Sequence, residues 1–371
     1  MRSPEVFKGL DWFLIVTLAL IQVFGLVAVF SALKSEGNLT LFKKHILYVV
    51  LGWVVLFLLS REKFRNLVDL SLYIYLFNLF LLVLVLVVGK EVSGARRWLS
   101  LGFITIQPSE FMKLSLILIS ACLLPLIKGL RDRKVLLLFL AFAIPVVVTF
   151  QQPDLGTAVA YAVPLLAMVF ARGVPVKYLV AVCLLAVASL PFLWDLLKDY
   201  QKRRILAVLD PYSDYLGSGY QLIQSVIAIG SGGLTGKGLT KGTQTQLLFL
   251  PEVHTDFIFS LIGEEMGFLG SFALVVLIFL FLYRILSYTK FTLTMSETLF
   301  VVGTFSLFFF QYGVNILMTL GMFPVVGIPL PFVSFGGSSF VTFSALVGIL
   351  LSIYRDYRTS VPLLRGEVNY E

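Results

Sequence analysis

Charge is what this chain of 371 residues has least of: Asp, Glu, Lys and Arg together make up 13%. A soluble domain carries about 25%, so these side chains cannot cover the surface that a 41.4 kDa protein would show to water. Histidine and cysteine are scarcer still, at two each. Cys122 and Cys183 both lie in apolar runs, where a lone thiol behaves as a small buried hydrophobe. No CxxC or Cys/His spacing is present, which leaves neither a zinc site nor a disulfide framework to argue for. What fills the sequence instead is apolar: 58% hydrophobic residues, 34 of them Phe, and a mean hydropathy of +0.95. Disorder, collagen and a small secreted scaffold are excluded, and the expected class is an all-α polytopic membrane protein.

A formal charge of +8 would suggest nucleic acid for a soluble protein. In a membrane protein it is read loop by loop, because cytoplasmic loops collect Lys and Arg. Apolar runs at 12–33, 46–60, 70–89, 111–127, 135–153, 155–171, 178–194 and 257–283 each approach the ~20 residues a bilayer requires. A charge-free stretch from Thr298 to Tyr354 is broken by Gly321, Pro324, Gly327, Pro329 and Pro331 into two more, about 298–320 and 338–355. The sum is about ten transmembrane helices in a single integral membrane domain, 1–371. The first run, from Trp12, is too long for a signal-peptide core and is read as a retained span. With both termini cytoplasmic, sixteen Lys and Arg fall inside and six in the short outer loops. That asymmetry sets the orientation and leaves residues 356–371 as a short cytoplasmic tail.

The segment 195–256 then lies outside as one long extracytoplasmic loop, in a chain whose other loops are short. Loops of this length are functional or disordered. Leu222, Ile223, Val226, Ile227 and Ile229 mark one face of a helix in it, with Gln221, Gln224 and Ser225 on the other; such a helix lies along the interface or re-enters the membrane. A glycine-dense stretch, Gly230 to Gly242, follows with Lys237 and Lys241. It either binds a lipid-linked pyrophosphate through backbone amides or is simply a flexible loop. It lacks the GxxxxGK[ST] spacing of a nucleotide loop.

Asp256 stands at the entrance to the eighth span, before Phe257, Ile258 and Phe259. It is either a carboxylate at a helix start, beside a capping Thr255, or a partly desolvated general base. His254 is a second acid/base candidate. Glu110 and Lys113, three residues apart at the start of span four, share a helical face and can pair. A pair near lipid tends to line a cavity. Asp154 sits between spans five and six, where it could also serve only as a turn residue after Pro153. Glu264, two turns beyond Asp256, either extends the polar face or packs the helix. Asp256, Glu110, Lys113 and Asp154 all fall at the outer boundary, and their convergence points to one polar site opening outward.

Five motifs carry a family resemblance across nearly the whole chain. They are Gln107-Pro-Ser-Glu110 with Lys113, Gln151-Gln-Pro-Asp-Leu-Gly156, Gly219-Tyr-Gln-Leu-Ile-Gln-Ser225, His254-Thr-Asp256 with Gly263-Glu-Glu265, and Ser334-Phe-Gly-Gly-Ser-Ser339. In this order they resemble the SEDS family (shape, elongation, division and sporulation). The run Pro324 to Pro331 and the short tails are most similar to its cell-elongation branch.

The resemblance implies a peptidoglycan glycosyltransferase of the bacterial cytoplasmic (inner) membrane, polymerising lipid II at its outer face. It implies that Asp256 is the catalytic residue and that Glu110 and Lys113 line its cavity. Asp154, Lys44, Arg204, Gln221, Gln224, Lys237 and His254 complete the expected substrate-binding set. Before span two the family often has a basic residue followed by Gln; here Lys44 is followed by His45. The expected chemistry is inverting. Asp256 takes the proton of the acceptor GlcNAc 4-hydroxyl, the oxygen attacks C1 of the donor MurNAc, and undecaprenyl pyrophosphate departs. Lys113, Arg203, Arg204, Lys237 or a divalent cation (Mg or Mn) would offset the pyrophosphate charge. No nucleotide is needed and no nucleic acid is expected. The implied partners are a class B penicillin-binding protein and other membrane proteins of the elongation complex. The rival expectations are a lipid II flippase, whose coupling charges would sit nearer the midplane of related halves, and a pure scaffold.

Overall fold

The computed structural model of the chain describes residues 9–92, 95–102, 104–129, 131–214 and 217–364. A long helix forms over every apolar run, because in lipid a helix is how a single segment satisfies its own backbone. The first five are α1 (Trp12–Ser35), α2 (Leu39–Arg61), α4 (Ser71–Val88), α5 (Pro108–Leu123) and α6 (Arg133–Gln151), with a short α3 (Phe64–Asp69) joining α2 to α4. The next two are α7 (Leu155–Ala171) and α8 (Val176–Leu196). The last three are α12 (Ile258–Ser287), α13 (Met295–Thr319) and α14 (Gly337–Leu364). Among the described residues, eight of these helices are long and apolar enough to cross a membrane, and α7 is an apolar helix just below 18 residues. The fold is an all-α polytopic membrane bundle. Of the predicted tail, 356–364 continues α14, while 365–371 lie outside the described residues, as do Arg2 and Lys8 of the charge count and the side chain of Cys183.

The core is built around α14, which is buried on every side from Thr342 to Tyr354. A helix apolar all round belongs in the middle of a bundle. Its neighbours approach closely because they offer small residues: a Cβ on Gly52 of α2 would meet Phe340 and Ser344, and one on Gly348 would meet the backbone of Leu56. The opposite faces of α1, α2, α4 and α6 leave Val23, Leu58, Phe77, Phe80 and Phe139 exposed, as lipid-facing positions should be. At the C-terminal end of α12, Arg284 donates to Asp11, which also caps α1 and accepts from Tyr288 at 2.8 Å.

Two features depart from the expectation. The loop before α5 is a three-stranded antiparallel sheet, β1 (Lys90–Val92), β2 (Ala95–Leu101) and β3 (Ile104–Ile106). Lys90 pairs with Trp98 and Leu99 with Ile106, which directs Arg97 and Trp98 toward the start of α7 and the cavity described below.

The second lies in the long segment, which folds as α9 (Asp199–Leu209), α10 (Ser218–Ser231) and α11 (Thr243–Gln246). Helix α10 leaves part of its apolar face open and turns its small residues inward. Gly219, Leu222, Ser225 and Ala228 are buried, while Val226 and Ile227 are exposed. The small residues win because α10 packs directly on α12: Ser225 Oγ lies 2.6 Å from Ser260 Oγ and donates to the Thr319 carbonyl at 2.7 Å. A Cβ on Gly232 would clash with the Gly263 carbonyl.

The glycine stretch likewise has a structural task. Helix α12 is kinked at Gly267, whose φ of 67° and ψ of −165° break the ladder. The freed groups are met by the glycine stretch: Phe268 N–H donates to Gly233 at 2.8 Å, while Lys237 and Gly238 N–H donate to Glu264 and Glu265 carbonyls at 3.0 Å. Backbone against backbone at this range leaves no room for side chains at Gly236 and Gly267.

Candidate active site

Where the long segment meets the bundle, a cavity of about 670 Å³ opens between β2, the starts of α5, α7 and α14, helix α9, and the loops 252–256 and 326–329. It brings together five of the predicted residues: Asp256, Glu110, Lys113, Asp154 and Arg204.

Asp256 ends a tight loop in which the Glu252 carbonyl accepts from the N–H groups of Thr255, Asp256 and Phe257 at 3.1–3.3 Å. Thr255 does not cap α12; its hydroxyl turns back to Glu252, and α12 begins with no side-chain cap. The Asp256 carboxylate takes part in no hydrogen bond or ion pair among the described residues. Gly327 lies beside it, and a Cβ there would stand 3.4 Å from Asp256 Oδ2. Desolvation in the cavity, then the neighbouring Glu252 carboxylate, raise Asp256 to about 6, while Arg204 and His254 pull it the other way. A carboxyl poised near neutrality and free of partners is suited to accept a proton.

Glu110 and Lys113 form the floor. Lys113 Nζ is 2.5 Å from Glu110 Oε1, and each side chain is about 95% or more removed from solvent. Glu110 Oε2 has no hydrogen-bond partner among the described residues. Asp154 caps α7 by accepting from Thr157 N–H at 3.1 Å, and its second oxygen faces Arg97 at 3.6 Å. Arg97 also donates to the Gln152 carbonyl at 2.8 Å, so β2 is tied to the start of α7. Asp154 is therefore both the turn residue and a wall of the cavity.

The other predicted residues stand elsewhere. Lys237 pairs with Glu264 at 2.7 Å and pins the glycine stretch, so it is not a cavity wall. Glu264 itself accepts from Lys237, Thr243 and the Gln244 and Thr245 amides, which settles it as a packing carboxylate. Gln221 and Gln224, on α10, are only half-buried and outside the cavity, because α10 turns its small-residue face to α12. Lys44 is half-buried on α2, also outside it. His254 sits on the rim, 2.9 Å from Glu36 with its ring against Phe335. Sequence reasoning missed Arg97, Trp98, Lys198, Tyr200 and Glu252, all of which line the cavity. Glu252 had a usable signal, a carboxylate four residues before Asp256. The sheet that brings Arg97 and Trp98 had none strong enough to read.

With this geometry in place, the chain can be set beside known proteins. The signature of the FtsW, RodA and SpoVE family, described as cell cycle proteins, matches residues 10–359. The peptidoglycan glycosyltransferase MrdB of Escherichia coli strain K12 is 37% identical over 348 residues, 92% of each chain. Among solved structures, a chain of a peptidoglycan synthase complex that coordinates polymerization and crosslinking superposes with a TM-score of 0.79. It is 36% identical and covers 95% of this chain and 99% of its own. The rod shape determining protein RodA of Thermus thermophilus gives 0.72 at 33% identity, with coverage of 94% and 98%.

Proposed function

The chain belongs to the FtsW, RodA and SpoVE family of cell cycle proteins, and from that premise we propose that its cavity joins lipid II units into glycan strands with Asp256 as the general base. It is a peptidoglycan glycosyltransferase rather than a lipid II flippase: relatives of that activity align over more than nine-tenths of it. The observation that carries the residue assignment is the unpartnered Asp256 carboxylate, raised to about 6, in a cavity large enough for sugars. Asp256 takes the proton from the acceptor hydroxyl. The oxygen bonds to C1 of the donor as the bond to the polyprenyl diphosphate breaks. General-base help of this kind is worth ~100- to 10,000-fold.

We read ten spans with both termini cytoplasmic, which puts the cavity outside the cytoplasmic membrane, where a lipid-linked donor arrives already activated. The partner in this reading is a class B penicillin-binding protein, which fits the likeness to a chain of a peptidoglycan synthase complex. The elongation branch is favoured by the Pro324 to Pro331 run. With Asp256 committed to the acceptor proton, Glu252 is the carboxylate among the described cavity residues left outside an ion pair, and magnesium or manganese is commonly held by one or two carboxylates together with substrate phosphates. When bound, such an ion would offset charge on the departing diphosphate.

The test is polymerisation of lipid II by the purified chain with its transpeptidase, separated by gel. Glycan chains from the wild type and none from Asp256→Asn are expected. Unchanged polymerisation by Asp256→Asn would overturn the assignment of the base. Lipid transfer across liposomes without chains would restore the flippase.

A further inference from the structure

Four cations line the cavity: Arg97, Lys113, Lys198 and Arg204. Two are already neutralised. Lys113 is bonded to Glu110, and Arg97 faces Asp154 at 3.6 Å while donating to the Gln152 and Pro153 carbonyls. Lys198 and Arg204 are different. Neither forms an ion pair among the described residues, and both come from one element, α9 and the residue that opens it.

Helix α9 is held in place by other means. Tyr200 donates its hydroxyl to the Pro153 carbonyl at 3.1 Å, and the Arg204 guanidinium stacks 5.7 Å from the Tyr200 ring. Gln201 is buried and caps the helix start by accepting from the Lys198 N–H at 3.0 Å. The helix is thus fixed to the start of α7 by Tyr200, while neither charge is tied up in an ion pair among the described residues, Arg204 acting on the Asp256 carboxylate only through space. Unpaired cations in a cavity that also holds Asp256 and Glu252 call for an anionic ligand rather than for packing. Lys198 and Arg204 are six residues apart, ~9 Å along a helix axis, a separation that two long side chains close onto adjacent phosphates.

We propose that Lys198 and Arg204 of α9 form the diphosphate subsite, the place where the pyrophosphate of a polyprenyl-linked sugar is held and released. This rests on the glycosyl-transfer reading above and narrows it. In the step itself the acceptor oxygen bonds to C1 and the C1–oxygen bond to phosphate breaks. The bonding pair leaves on the diphosphate, and the acceptor proton passes to Asp256. The diphosphate gains one negative charge in this step, and α9 supplies the charge that meets it. The Glu110–Lys113 pair, being internally compensated, has no net charge to offer there.

The test is direct binding, independent of turnover. The purified full chain with its transpeptidase is titrated with farnesyl diphosphate, farnesyl monophosphate and inorganic pyrophosphate, and followed by tryptophan fluorescence. The wild type is expected to prefer farnesyl diphosphate over both. Lys198→Gln and Arg204→Gln should each weaken it by roughly tenfold to a hundredfold, as for a lost hydrogen bond to a charged group. Lys202→Gln, on the same helix but outside the cavity, should bind as the wild type does. Unchanged diphosphate binding in both variants would overturn the subsite, as would equal losses for the monophosphate, which would mark a general lipid-headgroup contact. Tight binding of inorganic pyrophosphate alone would assign the site to a free phosphate instead. Loss of polymerisation in Asp256→Asn bears on the base and not on these titrations, so the two readings fail separately.

Discussion

The side-chain amide of Asn315 donates to the backbone carbonyl of Asp256 at 2.9 Å, and it donates again to the Ile328 carbonyl at 2.8 Å. Helix α13 thereby holds the loop that carries the base and the loop that faces it, while the Asp256 carboxylate stays free. Asn315→Ala unpairs two carbonyls at once. A cost of about 1–3 kcal/mol is expected for such buried groups, measurable as a lower melting temperature in detergent. Because the base loses its frame and no substrate contact is removed, kcat should fall further than KM rises.

The pH profile follows from the protonation of Asp256. Below about 6 its carboxyl carries a proton and cannot accept another; above it the carboxylate is free to act. Polymerisation should therefore rise about tenfold per pH unit on the acid side and level off above about pH 6. Glu252 and Arg204 push this limb in opposite directions. Removing the carboxylate in Glu252→Gln should move the limb to lower pH, and removing the cation in Arg204→Gln should move it to higher pH. A limb that stays put in both variants would mean that another group titrates.

The Glu110–Lys113 pair makes a different prediction. Lys113→Met leaves the buried Glu110 carboxylate without its counter-charge, at a cost of about 3–5 kcal/mol. The double variant Glu110→Gln with Lys113→Met removes both charges and should recover most of the melting temperature. If the pair also serves the substrate, the double variant regains stability without regaining polymerisation. Recovery of both would reduce the pair to a structural role.

The long apolar helices were legible in the sequence because lipid demands apolar runs of a fixed length, and that demand is local. The site was legible where an expensive residue stood out against an apolar background, as with Asp256, Glu110 and Asp154. It was not legible where position depends on tertiary packing. Arg97 and Trp98 reach the cavity only because β2 pairs with β1 and β3. Helix α10 shows the same limit. Its apolar residues mark the face turned to the membrane, but the sequence does not show that Gly219, Ser225 and Ala228 are buried, with Ser225 against Ser260 of α12. Lys237 was misread for a related reason: the glycines around it serve the kink at Gly267, and Glu264 claims its charge.

That last arrangement carries the strongest prediction about the fold. Glu264 is fully buried and accepts from Lys237, Thr243, Gln244 and Thr245, so one carboxylate holds the middle of the glycine stretch, and α11 just after it, to α12. Residues 247–257 are then strung between α11, which Glu264 anchors, and the start of α12. The position of Asp256 therefore depends on where Glu264 anchors α11. Glu264→Ala removes every one of these bonds and leaves Lys237 facing a void, with a loss of about 3–5 kcal/mol expected. Limited proteolysis should cut first between 233 and 246, and polymerisation should fall through kcat. Lys237→Met is the milder case, since its side chain is a quarter exposed and the amide donors to Glu264 remain. It should keep most of the activity and the wild-type cleavage pattern. Equal damage from the two variants would mean that the ion pair, and not the amide cradle, fixes the loop.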